Sequence, residues 1–238
     1  MKILFAVALM LVSSVAHSAC VILLHGLART ENSMSHLEQR LTDEGYQTVN
    51  VGYPSREHSI EILAESAITP AIEQCGDETK INFVTHSMGG ILVRQYLATQ
   101  EVENLEHVVM LGPPNKGSEV VDKLQSVPGF HFINGDAGLQ LGTGKLSIPN
   151  SLGAPDFDVG IIAGNQSINW VLSTLIPGTD DGKVSIENTK LEGMSDHIEI
   201  DTSHPFMMRN AEVIDQVIYY LANGKFERDT SDEESEES

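Results

Sequence analysis

Ser87 stands in the run Lys80 to Gly90, KINFVTHSMGG, at a point where no ordinary packing role needs a hydroxyl. Ile81, Phe83 and Val84 make a short apolar run suited to a buried strand, and Ile91, Leu92, Gln95 and Tyr96 open a helical pattern directly after it. The serine falls on the turn between them. A turn this sharp holds its residue in a strained conformation, lifts the hydroxyl to the end of the sheet and aims the next backbone N–H, that of Met88, at the same space. The chemistry this allows is nucleophilic attack beside a donor for the negative charge that develops. Against the pattern Gly-x-Ser-x-Gly, the segment Thr85-His86-Ser87-Met88-Gly89 carries Thr at the first small position. A serine that caps an ordinary helix, with the glycine pair easing a tight turn, is the competing reading. Whether the partners of a nucleophile appear in order decides between the two.

A free hydroxyl attacks poorly and needs a base to take its proton. Gly178 to Val184, GTDDGKV, follows a strand candidate at Val159 to Ala163 and a short apolar helix, and it offers an acid on a turn. His204, in Thr202 to Phe206, follows a strand candidate at His197 to Ile200. His197 also follows the acid, but Ile198 to Ile200 continue beyond it as strand and place it at the far end from the active edge. His86 sits beside Ser87, yet neighbours on such a turn point apart, which makes it a packed or hydrogen-bonded support. His36, His58, His107 and His131 read as surface or loop residues. The set then runs Ser, Asp, His along the chain.

With Cys20 to Arg29, CVILLHGLAR, these segments resemble the α/β-hydrolase superfamily, and most closely its small bacterial serine lipases and esterases. The likeness rests on a His-Gly-Leu loop, a His-Ser-Met-Gly turn, an Asp-Gly-x-Val acid turn and a late His, over nearly all of the chain after its leader. The superfamily admits Thr at the first position of the turn. The resemblance implies a shortened α/β-hydrolase fold: a mostly parallel central sheet, helices on both faces and a small cap insertion. It implies Ser87 as nucleophile, His204 as base and Asp181 as the acid that orients it, with Asp180 the immediate competitor. Leu27 and Met88 would supply the oxyanion N–H donors, with Gly26 letting the loop fold back over the site and His25 orienting it. The implied reaction is acyl transfer from a small-molecule or lipid ester, through an acyl-enzyme, to water. Acyl transfer to another acceptor, thioester or amide cleavage, and a hydrolase-fold binding protein without turnover share these residues.

Composition sets bounds on the rest. A chain of 238 residues suits one domain of ordinary size. Residues 1–19 read as a signal peptide: one basic residue, an apolar run from Ile3 to Val12, then small residues near Ala16 to Cys20. That run is shorter than the roughly 20 apolar residues of a spanning helix. The expected location is the periplasm or the outside of the cell, and His17 disfavours a lipid-modified Cys20. In the superfamily's topology Cys20 and Cys75 precede neighbouring strands at one end of the sheet, which implies a disulfide between them, far from the active edge. The formal net charge of −20 argues against nucleic-acid partners and against attachment to anionic membranes. No Cys/His cluster suggests a metal, and no cofactor is expected.

The remaining elements alternate. Glu31 to Glu44 reads as a helix with Met34, Leu37 and Leu41 inward, Thr48 to Tyr53 as a strand, Val108 to Leu111 as a strand and Gly117 to Gln125 as a short helix. From His58 to Cys75 an apolar stripe marks a helix that Pro70 must kink or restart. Asn210 is placed to cap a last helix that stops at Gly224. The domain is expected over 20–226. Within it Ser126 to Asp158, rich in Gly, Pro and Asn, breaks the rhythm, as either a cap over an acyl pocket or an irregular surface excursion. Residues 227–238 form an acidic tail with the composition of a disordered segment.

Overall fold

A computed structural model of the protein describes residues 19–77 and 79–228. Most of the expected signal peptide, residues 1–18, and most of the expected acidic tail, residues 229–238, lie outside the described residues. The elements run β1 (Cys20–Leu24), a 3-10 turn (Glu31–Ser33), α1 (Ser35–Asp43), β2 (Gln47–Val51), α2 (Ile60–Cys75), β3 (Ile81–His86), α3 (Met88–Leu97) and β4 (Leu105–Leu111). They continue with α4 (Glu119–Leu124), α5 (Phe130–Leu139), α6 (Ile148–Ser151), β5 (Val159–Gly164), α7 (Trp170–Ser173), α8 (Ile186–Thr189), β6 (Asp196–Ile200), a 3-10 turn (His204–Arg209) and α9 (Ala211–Asn223). Among the described residues no helix is long and apolar enough to cross a membrane.

Six strands form one sheet in the order β2-β1-β3-β4-β5-β6, and every neighbouring pair is parallel. The central strands are apolar on both faces because helices cover both. Cys20, Ile22, Leu24, Phe83, Val108, Met110 and Ile161 point to the face packed by α2 and α3. Val21, Leu23, Val84, Val109, Leu111 and Ile162 point to the face packed by α1 and α9. From β1 the chain leaves by α1 on one face, and from β3 it leaves by α3 on the other. The carboxyl ends of β1 and β3 therefore flank a switch point, the place where open α/β sheets leave a crevice.

Several elements differ from the sequence reading, beginning with the helix expected over Glu31 to Glu44, which divides into the 3-10 turn Glu31–Ser33 and α1. α3 begins at Met88, directly after the serine, so the turn is tighter than the apolar pattern from Ile91 implies. α2 passes through Pro70 as one helix, so of the two expected outcomes the chain does not restart there. Pro70 lies on the exposed side of α2, where water can serve the carbonyl that loses its partner. Residues 126–158 are not wholly irregular, for they contain α5 and α6. α5 breaks at Gly135, with φ 65° and ψ −169°. A Cβ there would lie 1.8 Å from the Arg56 carbonyl oxygen, so the glycine lets α5 dock on the loop after β2. Asn210 caps α9 by accepting from the Val213 N–H at 3.1 Å, and Gly224 ends it in the left-handed region. The Cys20–Cys75 disulfide is present, with a Cα–Cα distance of 5.7 Å, at the amino end of β1.

Candidate active site

Ser87 joins β3 to α3 with φ 54° and ψ −122°, a conformation few residues other than glycine adopt. Its N–H donates to Leu111 O at 2.8 Å, which ties the turn to β4. The tightness depends on neighbours without side chains. A Cβ on Gly89 would come within 2.5 Å of Leu24 O, and one on Gly26 within 2.9 Å of His86 Nδ1 and 3.1 Å of Ser87 Cβ. The loop after β1 therefore lies directly against the serine.

The structure brings Ser87, His204 and Asp181 together from three loops. His204 Nε2 is 3.0 Å from Ser87 Oγ, and His204 Nδ1 is 2.6 Å from Asp181 Oδ2. Asp181 Oδ1 accepts from the Lys183 and Val184 N–H groups, both at 2.9 Å, so its own turn orients the carboxylate. The His204 N–H donates to Asp181 O at 2.9 Å, fixing the two loops to each other. Asp181 is 1% exposed and His204 5%, so the pair is shielded while Ser87 keeps partial access to solvent. Gly112 makes room for them: a Cβ there would sit 2.9 Å from Asp181 Oδ2 and 3.2 Å from His204 Nδ1.

The competitors lie elsewhere. Asp180 Oδ1 accepts from Ser173 Oγ at 2.8 Å and from the Gly182 N–H at 2.7 Å. His197 stands in β6 opposite Ile161, with Nε2 3.1 Å from Thr189 Oγ1. His107 is not a loop residue but lies in β4, half-buried and 2.5 Å from Asp158. His86 donates from Nε2 to His204 O at 2.9 Å, and its ring tilts against that of His204 with centroids 4.7 Å apart. Burial, then the nearby His204, hold the His86 imidazole well below the usual histidine range, so it is neutral.

Met88 follows Ser87 at the start of α3, and Leu27 lines the cavity from a turn closed by the Arg29 N–H donating to Gly26 O at 3.3 Å. Parts of this turn's support carry no motif in the sequence. Tyr53 stacks on His25 with ring centroids 4.0 Å apart, and its hydroxyl donates to His25 O. Ser55 Oγ accepts from the Ala28 N–H at 3.0 Å, and Ala28 has φ 55°. The one available signal is position, since Tyr53 to Ser55 follow β2 at the active edge.

Ser87 and His204 open on a cavity of about 240 Å³ with an apolar wall that includes Leu27, Val120, Val121, Leu141 and Leu172. Leu141 and Asn134 bring residues 126–158 into that lining. Among the described residues no group of three or more His, Cys, Asp or Glu is arranged to hold a metal ion.

Residues 20–130 match the alpha/beta hydrolase family. Solved structures with the same fold include a lipase from Bacillus licheniformis in its mature form, 18% identical with a TM-score of 0.70, over 87% of this chain and 93% of that one. A phospholipase from Legionella pneumophila is 21% identical with a TM-score of 0.61, over 73% of this chain and 46% of its own. An esterase from Exiguobacterium antarcticum is 16% identical with a TM-score of 0.55, over 87% of this chain and 92% of its own. Comparison with curated proteins gives no match. The parallel sheet, its switch-point crevice and these likenesses give the chain a shortened α/β-hydrolase fold, similar to that of small bacterial lipases and esterases.

Proposed function

We propose that the protein is a serine hydrolase of carboxylic esters that works through an acyl-enzyme on Ser87. The observation that carries this reading is the continuous hydrogen-bonded chain Ser87–His204–Asp181 opening on an apolar-walled cavity. The lipase and esterase names of the structural neighbours support it. In this mechanism Ser87 Oγ attacks the ester carbonyl while His204 Nε2 takes its proton. Asp181 holds the Nδ1–H tautomer and stabilises the imidazolium. The Leu27 and Met88 N–H groups receive the oxyanion. His204 then protonates the departing alcohol, and water enters by the same route to release the acid. His86 positions His204 through its backbone carbonyl.

In this reading the apolar wall takes the acyl chain of a small-molecule or lipid ester, and residues 126–158 form a small cap over it. The disulfide supports a periplasmic or secreted location, since such bonds persist in oxidising compartments. The test is intact mass after exposure to an uncharged fluorophosphonate, together with hydrolysis of a 4-nitrophenyl ester panel. One adduct is expected on the wild type and none on Ser87→Ala, whose kcat falls by about 10⁴–10⁶-fold. An unlabelled, inert wild type of native fold overturns the proposal.

A further inference from the structure

The chain holds 34 acidic side chains against 14 basic ones, and five of the described cations pair with a carboxylate. Arg40 pairs with Asp215, Lys80 with Glu106, Lys116 and Lys190 with Glu187, and Arg228 with Asp196. The buried Arg94 is satisfied by the carbonyls of Asn115 and Gly153. Arg29, Arg56, Lys123, Lys145, Lys183, Arg209 and Lys225 have no such partner among the described residues, and of these Arg29 and Lys183 stand apart by their place. Both line the cavity above Ser87, and among the described residues no carboxylate oxygen lies within 4.0 Å of either charged group.

Their placement is built into the site. Arg29 ends the turn that carries Leu27, its N–H donating to Gly26 O at 3.3 Å. Lys183 sits on the acid turn, its N–H donating to Asp181 Oδ1 at 2.9 Å. The same two turns that frame Ser87 thus each bring one cation to the cavity. The cavity lining contains one carboxylate, Asp181, and both its oxygens are committed, to His204 and to the backbone of its own turn. Desolvation and then the positive charge of Arg29 hold the Lys183 ammonium below the usual lysine range. Two like charges facing one cavity without a counter-ion repel, and an anion between them relieves that repulsion. A net charge of −20 gives no long-range attraction to anions, so any selection here is by contact.

We infer that Arg29 and Lys183 receive an anionic group, a carboxylate or a phosphate, carried by the ester that Ser87 attacks, while Val120, Val121, Leu141 and Leu172 take its apolar part. This rests on the proposed role of Ser87 and adds the substrate's charge. The experiment measures kcat/KM on two matched pairs. Mono-4-nitrophenyl adipate against 4-nitrophenyl hexanoate places a carboxylate on the acyl side. A short-chain lysophosphatidic acid against the monoacylglycerol of the same chain places a phosphate on the alcohol side.

The expected result is a preference of about tenfold or more for the anionic member of at least one pair. The pair that shows it tells which side of the ester carries the charge. In Arg29→Gln/Lys183→Gln this ratio falls about tenfold, and in the wild type it shrinks between low and roughly 0.5 M salt. Lys183→Glu, which reverses one charge while leaving the backbone donor to Asp181, lowers the ratio further; with the salt series it decides the matter should the double variant fail to fold. Every form is first titrated with the uncharged fluorophosphonate. A wild type that labels on Ser87 yet treats charged and neutral esters alike in both pairs overturns this inference and leaves ester hydrolysis standing. A wild type that does not label overturns both.

Discussion

The two ends of β1 and β3 are built on opposite terms. At the amino end Cys20 is fully buried, bonded to Cys75 and flanked by regular ladder pairing to Gln47 and Ile81. At the carboxyl end, a few residues along the same strands, lie Ala28 and Ser87, the two non-glycine residues with positive φ among those described. Thr85 Oγ1 and His86 Nδ1 are buried there without a hydrogen-bond partner, as is Asn82 Nδ2 near the amino end of β3. A non-glycine residue in such a backbone region costs about 1–3 kcal/mol and persists only where its surroundings over-determine it. One end of the strands therefore fixes the fold, and the other spends stability on holding groups where chemistry requires them.

The sharpest way to break this comparison lies within the strained end, where two adjacent carboxylates have different surroundings. Asp181→Asn removes the acceptor that orients His204 Nδ1 and is expected to lower kcat about 10⁴-fold. Asp180→Asn keeps an oxygen that can accept from Ser173 Oγ and the Gly182 N–H but loses the charge that strengthens those bonds, and is expected to change kcat by less than about tenfold while lowering stability by about 1 kcal/mol. Steady-state kinetics and urea unfolding of both variants check this. Equal losses of kcat would mean that the acid turn acts as a unit and that Asp181 has no separate role.

The other end offers the complementary test. The disulfide closes a sequence separation of 55 residues that includes β2 and α2. The chain-entropy account gives about 4 kcal/mol for such a loop, and natural bridges usually deliver about 2–4. Cys20→Ser/Cys75→Ser is expected to lower the free energy of unfolding by about that amount. Its kcat is expected to stay within about twofold below the transition, because neither sulfur touches the loops that carry Ser87, His204 and Asp181. A loss of kcat well beyond that, in protein still folded, would show that strain at one end of β1 depends on the clamp at the other.

How far each region could be read from sequence follows the same division. Strand cores, helix faces and the α9 caps were legible because hydrophobic period and capping chemistry are local. Ser87, Asp181 and His204 stood out because each sits in a short motif whose order carries meaning. What stayed hidden depends on contacts between distant segments. Tyr53 and Ser55 belong to no motif, and only the folded sheet brings them under His25 and Ala28. Gly112 looks like an ordinary strand stop, and its purpose appears when the Asp181–His204 pair is seen against it. Arg29 and Lys183 are far apart in the chain, and only the folded sheet brings both to the cavity lining above Ser87. Two short helices within 126–158 escaped notice because Gly and Pro mask their period, and Gly135 is set by its approach to Arg56.

The smallest effect concerns His197, the histidine that competes with His204 in the sequence and lies outside the strained region in the fold. Burial, then the charge of Lys190, depress its pKa from 6.5 to about 4. The folded value lies below the unfolded one, so between about pH 6.5 and 4 the unfolded chain binds the extra proton. Stability from this group is full above that window and is lost as pH falls through it. The ring keeps some contact with water, so the slope is less than the ~1.4 kcal/mol per pH unit of one full proton. His197→Gln keeps a donor for Thr189 Oγ1 and removes the titration. It is expected to flatten the dependence of unfolding free energy on pH across that window while leaving the pH profile of kcat in place. A kcat reduced about 10³-fold or more with unchanged stability would reverse the assignment, making His197 the base and leaving the contact of His204 with Ser87 without a catalytic role.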